Sequence, residues 1–249
     1  PYLTNFFSLM FLPGLRIGVD FDEDYNAQDG PMIDYRYATN WNPTPDSKVK
    51  TNLKNFLTSL TKSKGAHGKQ LNYVSPSTDL LAWLFERASN RRYTNLVSDY
   101  IWKPMGAEYD AYITVDKTGF MLADHGMNST LRDLGRLGLL VMNEGVVNNK
   151  QIIPKDFIDD LHQQDADPYW PYETPADEHP YYRSFWWGKG NNEKDLNGVG
   201  IHGQFLRVAK EARIVIVIYS TWPRADGDGN DQFWGKSEDL LDAIVAKFR

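Results

Sequence analysis

Leu71-Asn72-Tyr73-Val74-Ser75-Pro76-Ser77-Thr78-Asp79-Leu80-Leu81-Ala82-Trp83 is the stretch from which the rest of the 249-residue chain is read. Tyr73 and Ser75 stand two residues apart at the start of an amphipathic helix. Ser77 or Thr78 would cap that helix, which would bury Leu80, Leu81, Trp83, Leu84 and Ala88. A phenol and a hydroxyl presented together at a helix mouth can serve as proton-transfer groups. The tripeptide is also what a buried tyrosine before an N-cap looks like, so its meaning depends on what surrounds it.

Upstream, residues 20–46 read as a long acidic loop with Pro, Gly and embedded aromatics, and a loop of that length in a compact domain is usually functional. A helix over 47–62 follows, with Val49, Leu53, Phe56, Leu57 and Leu60 on one face. Downstream, a helix over 93–102 stops at Lys103-Pro104-Met105-Gly106. Thr130-x-x-Asp133 resembles a capping box opening a helix with Leu131, Leu134, Leu137, Gly138 and Val141 on its apolar face. Residues 163–182 read as a second irregular, aromatic-rich loop.

Beyond it the pattern turns to strands. Residues 198–208 and 213–220 read as a hairpin whose second strand, Ile214-Val215-Ile216-Val217-Ile218, is fully buried. A closing helix from Ser237 would bury Leu240, Leu241, Ile244, Val245 and Phe248. This gives a mainly helical lobe over 1–160 with a substrate-lining loop, and a region over 161–249 made of an aromatic loop, a hairpin and a helix, the two forming one structural unit. One hairpin makes an incomplete sheet layer. The start, Pro1-Tyr2-Leu3-Thr4-Asn5, reads as the interior of a longer sequence rather than a leader.

Composition narrows the function classes. Net charge is −6, which disfavours nucleic acid and anionic membrane surfaces. There is no cysteine, so thiolate nucleophiles, disulfides and Cys-ligated zinc are excluded. His67, His125, His162, His179 and His202 lack ligand spacing, so neither a metal nor a cofactor is expected. Asp226-x-Asp228-x-Asn230 lacks the rest of a calcium loop and reads as an acidic turn. No apolar run approaches the ~20 residues of a membrane span.

The series Tyr73-x-Ser75, Ile113-Thr114-Val115-Asp116, Thr118-Gly119-Phe120, Ser129-Thr130-x-x-Asp133-Leu134 and Gly200-Ile201-His202-Gly203-Gln204 resembles the serine β-lactamase/DD-peptidase/carboxylesterase superfamily, most closely its nylon-oligomer (6-aminohexanoate-dimer) hydrolases. The resemblance runs from about residue 15 to residue 223 and implies an α/β fold of the α+β type, an antiparallel sheet flanked by helices with an all-helical lobe. The chain then corresponds to the C-terminal two-thirds of such an enzyme. The family's chemistry uses a Ser-x-x-Lys on a helix as nucleophile and base, a Tyr that relays protons, and a backbone N–H near a C-terminal strand as part of an oxyanion hole. By resemblance Tyr73 is the Tyr, Ser75 its hydrogen-bonding neighbour, and Ile201 carries the oxyanion N–H. Tyr25, Arg36, Trp41, Asp124 and Trp187 are expected to hold substrate, with His202 lining the cleft. At such positions that branch tends to carry Asn, Gly or Asp, whereas this chain has Arg36 and Asp124.

The Ser-x-x-Lys motif lies upstream of this segment in the family. Ser47-Lys48-Val49-Lys50 and Ser59-Leu60-Thr61-Lys62 match it literally but fall between the acidic loop and the Tyr motif, out of order. Lys117-Thr118-Gly119 copies the family's third motif but is expected to precede a helix, the third position being Gly198-Val199-Gly200. The resemblance implies hydrolysis of a small linear amide or ester through an acyl-enzyme, in a soluble protein of the bacterial cytoplasm or periplasm. The missing N-terminal segment or a homo-oligomer partner would complete it. A non-catalytic ligand-binding relative and a cell-wall peptidase remain as alternatives. If strands are wanting, apolar side chains near Ile201 and Ile214–Ile218 should be exposed.

Overall fold

The computed structural model describes residues 21, 24–25, 27–48, 50–61, 73–163, 181–189, 194–225 and 231–249. Two compact units emerge, one made of Pro1–Asp99 with Asp110–Ser129, the other of Tyr100–Tyr109 with Thr130–Arg249.

The first unit is helical. Residues 20–46, read as a loop, contain helix α1, Pro31–Ala38. Gly30 enters it at φ 82 and Pro31 occupies its first turn, the one place where a missing N–H and a fixed φ cost nothing. Met32, Ile33, Tyr35 and Ala38 are buried, so the segment is core and not a surface strap. Helix α2, Leu53–Ser59, is shorter than the expected 47–62. Asn52 caps it by accepting from the Asn55 N–H at 2.9 Å, and Leu60 is already extended.

Helix α3, Ser75–Ser89, starts two residues before the expected caps. Val74 is its extended N-cap residue and Pro76 lies in its first turn. Its buried line is Pro76, Asp79, Ala82 and Phe85, whereas Leu84 and Ala88 are exposed. The expected apolar face is therefore rotated, and an aspartate lies in the middle of the true one. Asn90 at φ 52 ends the helix in left-handed conformation. Helix α4, Tyr93–Val97, continues into a π-helical turn, Ser98–Trp102.

Strands β1, Tyr112–Ile113, and β2, Met127–Asn128, pair antiparallel around a loop pinned by the Val115–Met121 bridge. In that loop buried Asp116 accepts from the N–H groups of Leu53, Thr118 and Phe120 and from the Thr118 hydroxyl, at 2.7 to 3.0 Å. Burial alone would push its pKa up, but the bonds from Thr118, Leu53 and Phe120 outweigh it and hold the carboxyl below its usual range. Lys117-Thr118-Gly119 is thus a turn wrapped on Asp116, not the approach to a helix. Phe21, Tyr35, Phe56, Phe120, Met121 and Leu122 belong to the unit's core, with Phe21 meeting Tyr35 edge-on at 5.9 Å.

The second unit is a sheet with helices. Helix α5, Leu131–Met142, is capped as expected by Thr130, whose hydroxyl oxygen accepts from the Asp133 N–H at 3.1 Å. The Asp133 carboxyl turns away from a strict capping box to accept from the N–H groups of Glu108 and Tyr109. Of the expected apolar face Gly138 and Val141 are buried, while Leu131 is exposed. Strands β3, Val146–Val147, and β4, Lys150–Gln151, form a hairpin turning through Asn148 and Asn149, both at positive φ, and helix α6, Lys155–Leu161, buries Phe157, Ile158 and Leu161.

Five antiparallel strands then follow in sequence order: β5 Tyr181–Arg183, β6 Trp186–Gly188, β7 Leu196–Gly200, β8 Gln204–Ala209 and β9 Ile214–Ile218. The stretch read as one strand over 198–208 folds back on itself at 201–203, so the hairpin is a meander. Tyr182 and Trp187, read as loop aromatics, face each other across β5 and β6 with rings 4.8 Å apart. All five residues of β9 are half-buried, as is Ile201, rather than fully buried as read, since β9 is the outermost strand of the described order.

Helix α7, Asp231–Ala246, begins six residues before Ser237. It is fastened to β8 by Arg207, 1% exposed, which reaches Glu238 at 2.6 Å and Asp242 at 2.7 Å and also bonds Asn197. Such a charge is costly to bury and is tolerated because several acceptors meet it. The acidic turn read at 226–230 and the loop over 164–180 lie outside the described residues.

Helix α5 meets the sheet through Gly138. A Cβ there would lie 2.5 Å from Val215 Cγ1 and 2.9 Å from Leu206 Cδ1. Val215 is β-branched and held in a strand, so it cannot rotate away cheaply. Gly138→Val should lower unfolding free energy by about 2–3 kcal/mol despite the better helix former. Chemical denaturation measures it, and an unchanged or raised midpoint contradicts this packing.

Candidate active site

Six residues of the first unit, Tyr25, Arg36, Trp41, Ser75, Asp124 and His125, form a continuous array. Tyr73 is half-buried just before the N-cap of α3, and Ser75 is the first residue of that helix. The Tyr25 hydroxyl lies 3.5 Å from Ser75 Oγ. Arg36, on α1, donates from Nη2 to the Tyr25 carbonyl, and its guanidinium carbon stands 5.1 Å from the centre of the Trp41 ring, a cation–π contact. The other partner of Trp41 is the His125 ring at 4.3 Å, and His125 Nδ1 bonds Asp124 Oδ2. The Asp124 side chain is 4% exposed, and among the described residues neither its Oδ1 nor the buried Arg36 Nε–H meets a hydrogen-bond partner. Tyr25, Arg36, Trp41, Ser75 and Asp124, singled out from sequence, are therefore linked by contacts, with Tyr73 adjoining.

Asp79 underlies this array and was not singled out. It sits one helical turn after Ser75 and has no exposed surface. Its Oδ2 accepts from the Tyr35 hydroxyl at 2.6 Å and its Oδ1 from the Ala123 N–H at 2.6 Å. Burial, and then the charge of Asp124, push the Asp79 pKa up, although its hydrogen bonds favour the anion. The Tyr35 phenol is raised by burial and by Asp79 and Asp124. The signal in the sequence was an acid inside an apolar helical stripe. It was missed because an aspartate in the first turns of a helix normally complements the helix dipole at the surface.

The second unit carries Trp187, Ile201 and His202. Trp187 is half-buried on β6. Ile201 and His202 occupy the turn from β7 to β8, so the residue expected to supply an oxyanion N–H follows the strand instead of lying on it. His202 adopts φ 59, and its Nδ1 lies 2.9 Å from the Trp222 carbonyl. A carbonyl only accepts, so Nδ1 carries a proton.

Neither Ser of the Ser-x-x-Lys look-alikes opens a helical turn that could carry a base beside it. Ser47 is outside any helix, and the lysine of its motif, Lys50, pairs with Asp46 at 3.5 Å. Ser59 ends α2 with its hydroxyl donating to the Phe56 carbonyl at 2.7 Å, and Lys62 lies outside the described residues. Among the described residues no group of three or more His, Cys, Asp or Glu side chains could hold a metal ion, and no helix is long and apolar enough to cross a membrane.

A family model described as beta-lactamase matches residues 36–238. The chain belongs to the beta-lactamase family. It is 32% identical over 222 residues to a 6-aminohexanoate-dimer hydrolase of Paenarthrobacter ureafaciens, a match covering 88% of this chain and 56% of that protein. A candidate 6-aminohexanoate-dimer hydrolase from Bacillus anthracis shares the fold with TM-score 0.78 at 24% identity, covering 95% of this chain and 61% of the other. A penicillin binding protein from Bacillus halodurans does so with TM-score 0.60 at 15% identity, covering 96% and 72%. The chain thus spans little more than half the length of the curated relative it matches. The beta-lactamase fold and the hydrolase branch are those that the motif series resembles.

In this beta-lactamase family chain the buried Asp79 has a pH signature. Asp79 titrates near 4 when unfolded and well above that when folded, so the folded state favours its neutral form. That stabilisation is complete below about pH 4 and is lost as pH rises toward the folded pKa. Asp79→Asn, which cannot ionise, should therefore become more stable relative to the parent as pH is raised from 4 to 8. Thermal midpoints across that range test it, and a parallel pair of curves contradicts it.

Proposed function

We propose that the chain forms part of a serine hydrolase that cleaves short linear amides or esters through an acyl-enzyme. Tyr73 is the proton relay, Ser75 its polar neighbour, and the Ile201 N–H one donor to the oxyanion. The observation that carries this reading is the placement of Tyr73-Val74-Ser75 at the mouth of α3, with Ser75 meeting Tyr25 at 3.5 Å. Ser75, two residues on, begins the run of polar contacts that passes through Tyr25 to Arg36. Such a relay contributes by giving the leaving group its proton in the transition state. In this reading the nucleophilic Ser-x-x-Lys is not among these 249 residues, which is supported by Ser47 lying outside any helix and by the chain turning extended at Leu60, directly after Ser59.

Arg36 and Asp124 suit the ends of a polar substrate. The spare Asp124 oxygen can accept from an ammonium or amide N–H, and the spare Arg36 N–H can donate to a carboxylate or carbonyl. Trp41 between them supplies an apolar wall. The same spare groups suit a second reading, a relative that binds such a molecule without cleaving it.

Kinetics on the full-length gene product separate the two. Tyr73→Phe should lower kcat for a short ester and a short amide about 100-fold or more with little change in KM. Unaltered turnover contradicts the relay, and binding without turnover by the parent protein favours the second reading. Asp124→Asn should raise KM for an amine-bearing substrate more than for its neutral analogue, and equal effects on both would argue against charge recognition at this position.

A further inference from the structure

The turn that carries Ile201 is held far more firmly than a hairpin connection requires. Strands β7 and β8 close at the Gly200–Gln204 pair, leaving Ile201, His202 and Gly203 to reverse the chain. Segment 220–225 returns across this turn. The His202 N–H donates to the Ala225 carbonyl at 2.8 Å, and the Trp222 N–H donates to the His202 carbonyl at 3.1 Å. The Gln204 side-chain amide donates to Ser220 O at 2.7 Å and reaches the carbonyls of His202 at 3.2 Å and Ile201 at 3.3 Å. Two amide hydrogens are thereby shared among three carbonyls, the Ser220 bond being the shortest.

Packing completes the clamp. Gly203 adopts φ 81, and a Cβ there would fall 2.3 Å from the Trp222 ring, so the indole lies directly against the backbone. Trp222 is itself backed by Phe205 at 5.8 Å and by Trp234 and Phe233, each at 6.2 Å. The Ile201 N–H, by contrast, donates to no described acceptor. A hairpin turn fixed on every side with one donor left over is the arrangement that a preorganised oxyanion donor needs, because it pays no reorganisation when charge develops.

We infer that Gln204 and Trp222 are positioning residues that aim the Ile201 N–H at the developing oxyanion. This rests on the reading in which Ile201 donates to that oxyanion. Gln204 sets the turn through its carbonyls, and Trp222 sets it through the bare face of Gly203. Neither touches the reacting atoms. Their removal should let the turn relax by a fraction of an ångström, which weakens transition-state stabilisation while leaving substrate binding in place.

The test uses the full-length gene product with a short ester as substrate. Gln204→Leu keeps the bulk and removes the donors, Trp222→Ala removes the wedge, and Trp222→Phe keeps an aromatic in its place. Activity is expressed per folded molecule, with the folded fraction read by near-ultraviolet circular dichroism. Gln204→Leu and Trp222→Ala should each lose at least tenfold in kcat with KM within about threefold, and Trp222→Phe should recover most of the loss. Should Trp222→Ala fail to fold, Gln204→Leu and Trp222→Phe decide. Tyr73→Phe is measured alongside. If it loses activity while Gln204→Leu and Trp222→Ala keep kcat, the positioning role is overturned and the functional reading stands. If none of these variants changes kcat, the functional reading falls and this inference with it.

Discussion

A carboxyl group with no access to water has to be satisfied by protein alone, and Asp79 meets that condition by joining three parts of the chain. Its oxygens take the Tyr35 hydroxyl from α1 and the Ala123 N–H from the loop ahead of β2, while its own backbone belongs to α3. Removing any partner would leave a buried polar group unpaired, which costs on the order of 1–3 kcal/mol. The constraint therefore locks α1, α3 and the 120–126 segment into one arrangement. Arg36 and Trp41 follow from α1, Ser75 from α3, and Asp124 and His125 from the segment, so the positions of the polar array descend from this single carboxyl.

Two ways of keeping backbone in place are visible in the two units. In the first, Asp116 and Asp79 gather N–H donors around buried carboxylates, and the loops between helices need no regular structure of their own. In the second, the meander supplies most of the order and side chains reinforce its weak points. Arg207 ties α7 to β8, and Gln204 ties the β7–β8 turn to residue 220. Both devices give buried polar groups partners within the protein, which stiffens the segments they join.

The sequence made the cap of α5 at Thr130 and the Val/Ile strand readable, because each rests on a local pattern. It hid α1, since Pro31 with Tyr35 and Tyr37 resembles an aromatic loop until Pro31 is recognised as a first-turn residue. It hid the β5–β6 hairpin for a similar reason: the turn uses Ser184 and Phe185 at positive φ, without the Gly or Asn that usually marks such a turn. The β7–β8 reversal was concealed by the apolar and small residues that run through 198–208. Of the array, the residues named from the family order are linked in space by Tyr25, Arg36 and Trp41. Asp79, Tyr35, His125, Gln204 and Trp222 were not legible, because their roles come from contacts between residues far apart in the chain, from 16 for Gln204 with Ser220 to 84 for His125 with Trp41.

The central proposal is that Tyr73 is the proton relay of an acyl-transfer enzyme whose Ser-x-x-Lys nucleophile is not among these 249 residues. Incubating the full-length gene product with a fluorophosphonate or penicillin probe, followed by intact mass spectrometry and peptide mapping, tests it most directly. The account predicts a single adduct on a serine of a Ser-x-x-Lys motif upstream of Pro1, formed more slowly when Tyr73 is Phe. No adduct, or an adduct on Ser47, Ser59 or Ser75, would contradict it.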